Sequence, residues 1–347
     1  MPSPVESARE VGLCYVHDHH PGIRRERVAR GFRYRGADGR IVRDRQTLKR
    51  IGALMIPPAW KEVWICPLAN GHLQASGRDE RNRKQHVYHH RWREVRDETK
   101  FHRLVDFAGV LPAIRRRLTK DLAREGLCRE KVLATVVRLL EISLIRVGNE
   151  ESARDNHTYG LTTMENRHAT VSGDTIQFHF RGKSNKVHAI AVHDPRVAKI
   201  IRACQHLPGQ ELFHYLDDAG EEHHVGSHDV NDYLREISGE EFTAKEFRTW
   251  GGTLSALTEL RKMGPADRAA QCRKNIVAAI KTASQHLGNT PTVCRKSYIH
   301  PVIIEAYLKG SLIPTVERLI GKMKATHAIH LRMDELVLLE FLTLAGK

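Results

Sequence analysis

Ile176-Gln-Phe-His-Phe-Arg-Gly-Lys183-Ser-Asn-Lys-Val-His-Ala-Ile-Ala-Val192 decides how the second half of the chain is read. Ile176, Phe178 and Phe180 alternate with Gln177, His179 and Arg181, the two-residue period of a strand with one buried face. Gly182-Lys-Ser-Asn185 has turn composition, and residues 187–192 return as a second strand. On either side the period becomes helical. Upstream, Val132, Leu133, Val136, Val137, Leu140, Leu144 and Val147 form a 3.6-residue stripe that predicts a helix over 130–147. Downstream, helices are expected over 195–206, 227–237, 243–263, 266–287, 301–309, 315–324 and 333–344, the third opened by a Thr243-x-x-Glu246 capping box. The pattern is one small hairpin set among helices.

The first 95 residues read differently. Gly36-Ala-Asp-Gly39 sits between two short runs as a hairpin loop. Asn70-Gly71 lies between Val63-Trp-Ile65 and His72-Leu-Gln-Ala75, a strong hairpin signal. A further strand is expected over 85–88. The expected fold class is therefore α+β: a small basic β-rich domain over 1–95 and a larger, mainly α domain over 96–347 carrying the hairpin.

Composition narrows the partner. The 347 residues include 56 Lys+Arg against 41 Asp+Glu, a formal net charge of +15. Residues 24–50 hold eleven of the cations against three acids (Glu26, Asp38 and Asp44), interleaved with Phe32, Tyr34, Ile41, Val42, Leu48 and Ile51, so the segment reads as a folded basic face. With 41% hydrophobic residues the chain can bury real cores, which excludes wholesale disorder. No apolar run is long enough to span a bilayer, and the N-terminal residues lack a basic stretch followed by an apolar one, so neither membrane insertion nor secretion is expected. Six scattered cysteines without a C-x-x-C pair fit a reducing, cytoplasmic setting. A polyanion, with nucleic acid first, is the partner such a charge surplus points to.

Several motifs are weighed against plainer readings. The clusters His17-Asp-His-His20, His86-Val-Tyr-His-His90 and Glu221-Glu-His-His224 lack the i, i+4 pairing of H-E-x-x-H and have no cysteines at zinc-finger spacing, so no metal site and no cofactor is expected. Gly182-Lys183-Ser184 resembles the end of a phosphate-binding loop. Gln177 stands where the leading glycine belongs, and the segment joins two strands instead of opening a helix, which argues against nucleotide hydrolysis. Arg146 is expected at the end of an apolar helix face, where a cation needs a buried carboxylate or an anion. Lys245 and Arg248 fall in a first helical turn, where positive charge opposes the helix dipole unless an anion binds nearby. Asn289 and Tyr298 lie nine residues apart in an expected loop after a long helix. Taken singly, each fits an ordinary ion pair or a packed tyrosine.

Together they match a known pattern. Arg146 in Leu-Ile-Arg146-Val-Gly-Asn-Glu-Glu, Thr158-Tyr-Gly-Leu-Thr162, Lys183 in Phe-Arg-Gly-Lys183-Ser-Asn-Lys-Val-His, Lys245 and Arg248 in Thr-Ala-Lys245-Glu-Phe-Arg248-Thr-Trp-Gly-Gly-Thr, and Asn289 to Tyr298 resemble the type IB DNA topoisomerases, closest to the small bacterial and poxvirus-like branch. Ile56-Pro-Pro-Ala-Trp60 and the run from Gly77 to Tyr88 extend the resemblance over nearly the whole chain. It implies the catalytic fold shared with tyrosine recombinases and transesterification of a DNA phosphodiester. Tyr298 would be the nucleophile, giving a 3′-phosphotyrosyl enzyme and a free 5′-hydroxyl. Arg146, Arg248 and Asn289 would bind the phosphate, Lys183 would be the general acid, and Lys245 would assist proton transfer. Arg83, Gln85 and Tyr88 would contact the DNA groove from the first domain. The resemblance further implies relaxation of supercoils of either sign without ATP or metal, by a cytoplasmic, nucleoid-associated monomer clamping double-stranded DNA. Two departures stand out: Asn289 replaces the histidine of many relatives, and His86 stands where poxvirus relatives have tyrosine. The competing readings are a tyrosine recombinase, which usually carries His-x-x-Arg where this chain has Lys245-Glu-Phe-Arg248, and a non-catalytic DNA-binding protein.

Overall fold

The computed structural model describes residues 3–80, 82–323 and 331–346; the last residue of the helix expected over 315–324 lies outside them. The chain divides into two compact units between Phe101 and His102.

In the first unit, α1 (Pro4–Glu10) starts from a Ser3–Glu6 capping box. It is followed by β1 (Ile23–Val28), β2 (Gly31–Arg35), α2 (Arg45–Ala53), β3 (Lys61–Ile65), β4 (Leu73–Arg78) and β5 (Lys84–Tyr88). The five strands form one antiparallel sheet in the order β2-β1-β3-β4-β5. Val63 and Ile65 are buried with Ile23, Ala75 and Ile51 of α2 on one face, and Trp64 with Cys66 and Leu73 on the other, a bulge in β4 between Leu73 and Ala75 sending those two to opposite faces. Asn70-Gly71 does not make the tight turn its composition suggests. Neither residue has a positive φ, the connection from Ile65 to Leu73 is longer than two residues, and the Asn70 carbonyl accepts from the Cys14 amide at 2.9 Å. The loop is held open to pair with the N-terminal segment.

Nor are all eleven cations of 24–50 on a solvated face. Arg25 donates to the carbonyls of Ile56, Pro57 and Trp60 at 3.3, 3.0 and 2.7 Å, and its guanidinium lies 4.2 Å from the Phe32 ring centroid. Arg50 donates to Gln74 Oε1 at 2.8 Å and to the Cys66 carbonyl at 2.7 Å. Both cations hold the sheet's connections together.

The helix α3 (His90–Leu122) runs across the division. Beyond it the second unit contains α4 (Arg129–Ser143), α5 (Glu150–Asn156), β6 (Ala169–Ser172), β7 (Thr175–Gly182), β8 (Lys186–His193), α6 (Pro195–Gln205), β9 (His214–Leu216) and β10 (Glu222–His224). It ends in α7 (Ser227–Ser238), α8 (Ala244–Met263), α9 (Ala269–His286), α10 (Pro291–Tyr298), α11 (Pro301–Leu308), α12 (Leu312–Met323) and α13 (Met333–Ala345). The hairpin is β7–β8, with Ile176, Phe178 and Phe180 buried as alternation requires. A short third strand, β6, completes its sheet. Phe107 of α3 packs edge-on against Phe242 and against Phe247 of α8, with centroids at 5.4 and 5.0 Å, which fixes where α8 begins. Arg115 of α3 reaches Glu141 of α4 and Glu335 of α13, each at 2.7 Å, joining three helices through a nearly buried ion cluster. Among the described residues no helix is long and apolar enough to cross a membrane. The six cysteines are free thiols, four of them buried.

Two expectations change in ways that matter for the site. The helix expected to reach Val147 stops at Ser143, because Leu144 turns left-handed at φ 54°. The loop expected to carry Tyr298 is instead α10, whose start is set by Thr290 accepting from the Val293 amide at 3.3 Å and by Pro291 in its first turn.

Candidate active site

Arg146 lies in an irregular segment just after α4, not on a helix face. The segment is locked by a neighbouring stretch: the amides of Leu161 and Thr162 donate to the carbonyls of Arg146 and Val147 at 2.8 and 2.6 Å, and the Tyr159 amide donates to the Arg181 carbonyl on β7 at 2.7 Å. Gly160 is needed where the two stretches cross, since a Cβ there would sit 2.6 Å from the Arg146 carbonyl oxygen. Thr158 to Thr162 thus fastens the Arg146 segment to the hairpin.

Arg248 follows from α8. It is only 4% exposed, and its guanidinium donates to the carbonyl of Leu144, the residue where α4 ends, and to that of Leu287, where α9 ends, at 2.8 Å for the latter. Burial, with the Arg146 cation second, pulls its pKa down to about 10, which leaves it charged at neutral pH. The guanidinium carbon lies 5.1 Å from the Tyr298 ring centroid. One turn further along α8, Gly252 accommodates the backbone of α10, because a Cβ there would fall 2.6 Å from the Tyr298 carbonyl oxygen. Thr253 Oγ1 donates to that carbonyl at 3.3 Å and accepts from the His300 amide at 3.1 Å. The motif Arg248-Thr-Trp-Gly-Gly-Thr253 therefore places one cation and seats the tyrosine beside it.

Asn289, in the turn between α9 and α10, accepts through Oδ1 from Arg146 Nη2. This fixes the amide's orientation and turns Nδ2 the other way. Asn289 Nδ2 and Arg248 Nε are buried donors that meet no acceptor among the described residues. Arg103 Nε, Arg235 Nε and Trp250 Nε1 are buried without an acceptor as well; these two donors stand out by their place, one on the residue bonded to Arg146 and the other on the arginine beside Tyr298.

Lys183 stands at the hairpin tip, exposed, and lines the same crevice as Arg146 and Arg248. Lys245 is exposed on the first turn of α8 and is not among the crevice residues. Five of the six expected catalytic positions thus converge: Arg146, Lys183 and Arg248 around the crevice, Asn289 on Arg146, and Tyr298 against Arg248. Tyr159 and His188 also line the crevice and were not singled out from sequence. Their signal was present, since each lies inside a motif quoted above, but nothing in residue type separated them from packing groups.

The residues expected to touch DNA from the first unit lie on β5 or beside it. Arg83 pairs with Asp79 at 2.6 Å, and Gln85 Nε2 donates to the same carboxylate at 3.0 Å. Tyr88 stacks near His86 with centroids at 5.8 Å. Strand alternation puts Gln85 on the side of Val87 and Tyr88 on the opposite side, so the two do not share a face. Of the histidine clusters, His214 and His224 face each other across β9–β10, with Glu211 hydrogen-bonded to His214 at 3.2 Å; on the same hairpin His223 contacts Asp217 at 2.7 Å.

Comparison with known proteins places the chain among relatives. Residues 89–322 match the family described as eukaryotic DNA topoisomerase I, catalytic core, and residues 31–79 match the bacterial DNA topoisomerase IB N-terminal domain. The chain is 32% identical over 294 residues to DNA topoisomerase 1B of Acanthamoeba polyphaga mimivirus, an alignment covering 82% of this chain and 87% of the relative. It is 22% identical over 251 residues to DNA topoisomerase 1B of vaccinia virus strain Copenhagen, covering 70% and 74%. With DNA topoisomerase 1 of Schizosaccharomyces pombe it shares 28% identity over 152 residues, 43% of this chain and 18% of the relative. The second unit is accordingly the catalytic core of a DNA topoisomerase. The chain belongs to the type IB family, and it carries the bacterial type of N-terminal domain.

Proposed function

We propose that this enzyme relaxes supercoils of both signs by cutting one strand of duplex DNA through a covalent bond between Tyr298 and a 3′-phosphate, using neither ATP nor a metal ion. The observation that supports this most is the convergence of Arg146, Lys183 and Arg248 on one crevice, with Tyr298 against the Arg248 guanidinium.

The scissile phosphate binds at the crevice lined by Arg146, Lys183 and Arg248. Tyr298 Oη attacks phosphorus, the new O–P bond forms as the P–O5′ bond breaks, and the phenolic proton leaves to solvent. A phenol ordinarily holds its proton to pH ≈ 10, so a neighbouring cation that favours the phenolate form lowers the barrier. Charge developing on the non-bridging oxygens is met by the guanidinium forks of Arg146 and Arg248 and by Asn289 Nδ2. Lys183 Nζ gives its proton to the departing O5′, which is otherwise a poor leaving group. These fixed cations supply the positive charge that metal ions bring to other phosphoryl-transfer sites. The phosphotyrosyl ester keeps the energy of the phosphodiester. Attack by the 5′-hydroxyl therefore reseals the strand after the free end has swivelled.

The same reading gives the second unit the catalytic fold of the tyrosine recombinases and gives Arg83 and Gln85 groove contacts to the duplex, while Tyr88, on the other side of β5, packs against the core clusters of the first unit. It makes the protein a monomer working on the DNA of the cytoplasm. A plasmid relaxation assay in EDTA without nucleotide tests the proposal. The wild type is expected to relax positively and negatively supercoiled plasmid alike, and Tyr298→Phe is expected to relax neither. An inactive wild type or a fully active Tyr298→Phe would contradict it.

A further inference from the structure

His188 belongs to the crevice but has no part in the chemistry described so far. It lies on β8 directly opposite Phe180 of β7, and the two rings stack with centroids at 4.9 Å and planes within 8°. Two glycines border its imidazole. A Cβ on Gly182, the residue before Lys183, would come 2.7 Å from His188 Nε2, and a Cβ on Gly288, the residue before Asn289, would overlap His188 Cε1. The ring therefore fills a slot with the hairpin tip on one side and the α9–α10 turn on the other. Close by, Lys186 Nζ donates to the Asn289 carbonyl at 3.5 Å, a second tie between the same two segments. Burial first, and then the cations Arg146, Lys186 and Arg248, depress the imidazole's pKa, so the ring is neutral at physiological pH and adds no further positive charge to the crevice.

Lys183 needs this kind of support. It is a long, exposed side chain at the end of a two-stranded projection, and a proton donor works only when held within hydrogen-bond reach of its acceptor. The Arg146–Asn289 pair sits on other elements, and the hairpin has to be registered against it. We propose that His188 is the positioning residue that docks the hairpin tip on the α9–α10 turn and so sets Lys183 in register with the phosphate-binding Arg146 and Asn289. The inference rests on the reading of Lys183 as general acid given above.

The test compares cleavage of an ordinary oligonucleotide duplex with that of one bearing sulfur in place of O5′ at the cleaved linkage. A thiolate leaves without being protonated, so a defect confined to leaving-group protonation disappears on the sulfur substrate. His188→Ala is expected to cleave the ordinary duplex slower by roughly tenfold or more, to bind DNA as the wild type does, and to regain nearly the wild-type rate on the sulfur substrate. Lys183→Ala is the reference and should show the same recovery. His188→Phe, which keeps a ring stacked on Phe180, should recover much of the ordinary rate. Should Lys183→Ala gain nothing from sulfur, the reading of Lys183 fails, and this inference with it. A Lys183→Ala that recovers beside a His188→Ala that is equally slow on both substrates, or unimpaired on both, overturns the role of His188 alone. A His188→Phe no better than His188→Ala overturns it too, and keeps the question decidable if the alanine variant folds poorly.

Discussion

At the scale of single residues, the site depends on where Arg248 puts its donors. Its guanidinium braces the ends of two helices through the Leu144 and Leu287 carbonyls while its Nε remains without an acceptor. A lysine at this position keeps the charge and loses the fork, so it cannot hold two carbonyls and face a phosphate together. We expect Arg248→Lys to slow single-turnover cleavage by about 10²–10³-fold, the cost of removing one preorganised donor from a developing oxyanion. DNA affinity should change little. A variant within a few-fold of wild type in rate would show that Arg248 is only a brace. Asn289 illustrates what residue type alone conveys: its amide is recognisable as a donor and acceptor in sequence, but its orientation comes from the Arg146 contact 143 positions away.

At the scale of elements, the catalytic segments hang on helices whose mutual placement is held by buried charge. Glu335, at the start of α13, accepts from Arg115 at 2.7 and 2.8 Å and from Arg332 at 2.9 Å. These cations outweigh the opposing effect of burial and hold its pKa down to about 2. A carboxylate with a depressed folded pKa contributes stability that is complete above its unfolded value, near 4.5, and lost as pH falls toward 2. Thermal unfolding followed across that window should show a steep loss in the wild type and a shallower one in Glu335→Gln. At neutral pH the variant, leaving Arg115 less well paired, should be less stable by about 3–5 kcal/mol; an unchanged midpoint would mean the cluster does not tie α3, α4 and α13.

Most of these elements were legible from sequence, and the exceptions have physical causes. Periodicity located β7, β8, α4, α6 to α9 and α11 to α13 because each buries one continuous face, but it gave no range for α3, the longest helix. It overran at Leu144, whose apolar side chain continues the stripe although its backbone has already turned left-handed. It passed over β6, β9 and β10, which have four, three and three residues and are too short to show a period. It left α10 as a loop because the surrounding Gly-Asn-Thr-Pro reads as turn composition, while Thr290 and Pro291 in fact open a helix. The residues proposed for catalysis were recognisable as a set, since each sits in a distinctive motif. The roles of Gly160, Gly252 and His188 were not, because they depend on which distant backbone comes close.

At the scale of the whole molecule, a net charge of +15 calls for a polyanion, but not every cation serves it. Arg25 is committed to three carbonyls and a phenyl ring inside the first unit, whereas Arg27 on the same strand is exposed. Arg25→Ala should therefore lower the melting temperature. Arg27→Ala should leave it unchanged and reduce the slope of log K against log salt by about 0.9, the contribution of one neutralised phosphate. Equal slopes in Arg27→Ala and wild type would remove that arginine from the DNA surface. The central claim is that Tyr298 becomes covalently joined to a 3′-phosphate. Its most direct test is a detergent-quenched reaction with a duplex labelled at one end or the other of the cleaved strand, followed by mass analysis of the protein peptides. The expected result is protein attached to the 5′-labelled fragment only, through Tyr298. Attachment to the 3′-labelled fragment, or through any other residue, would contradict the account.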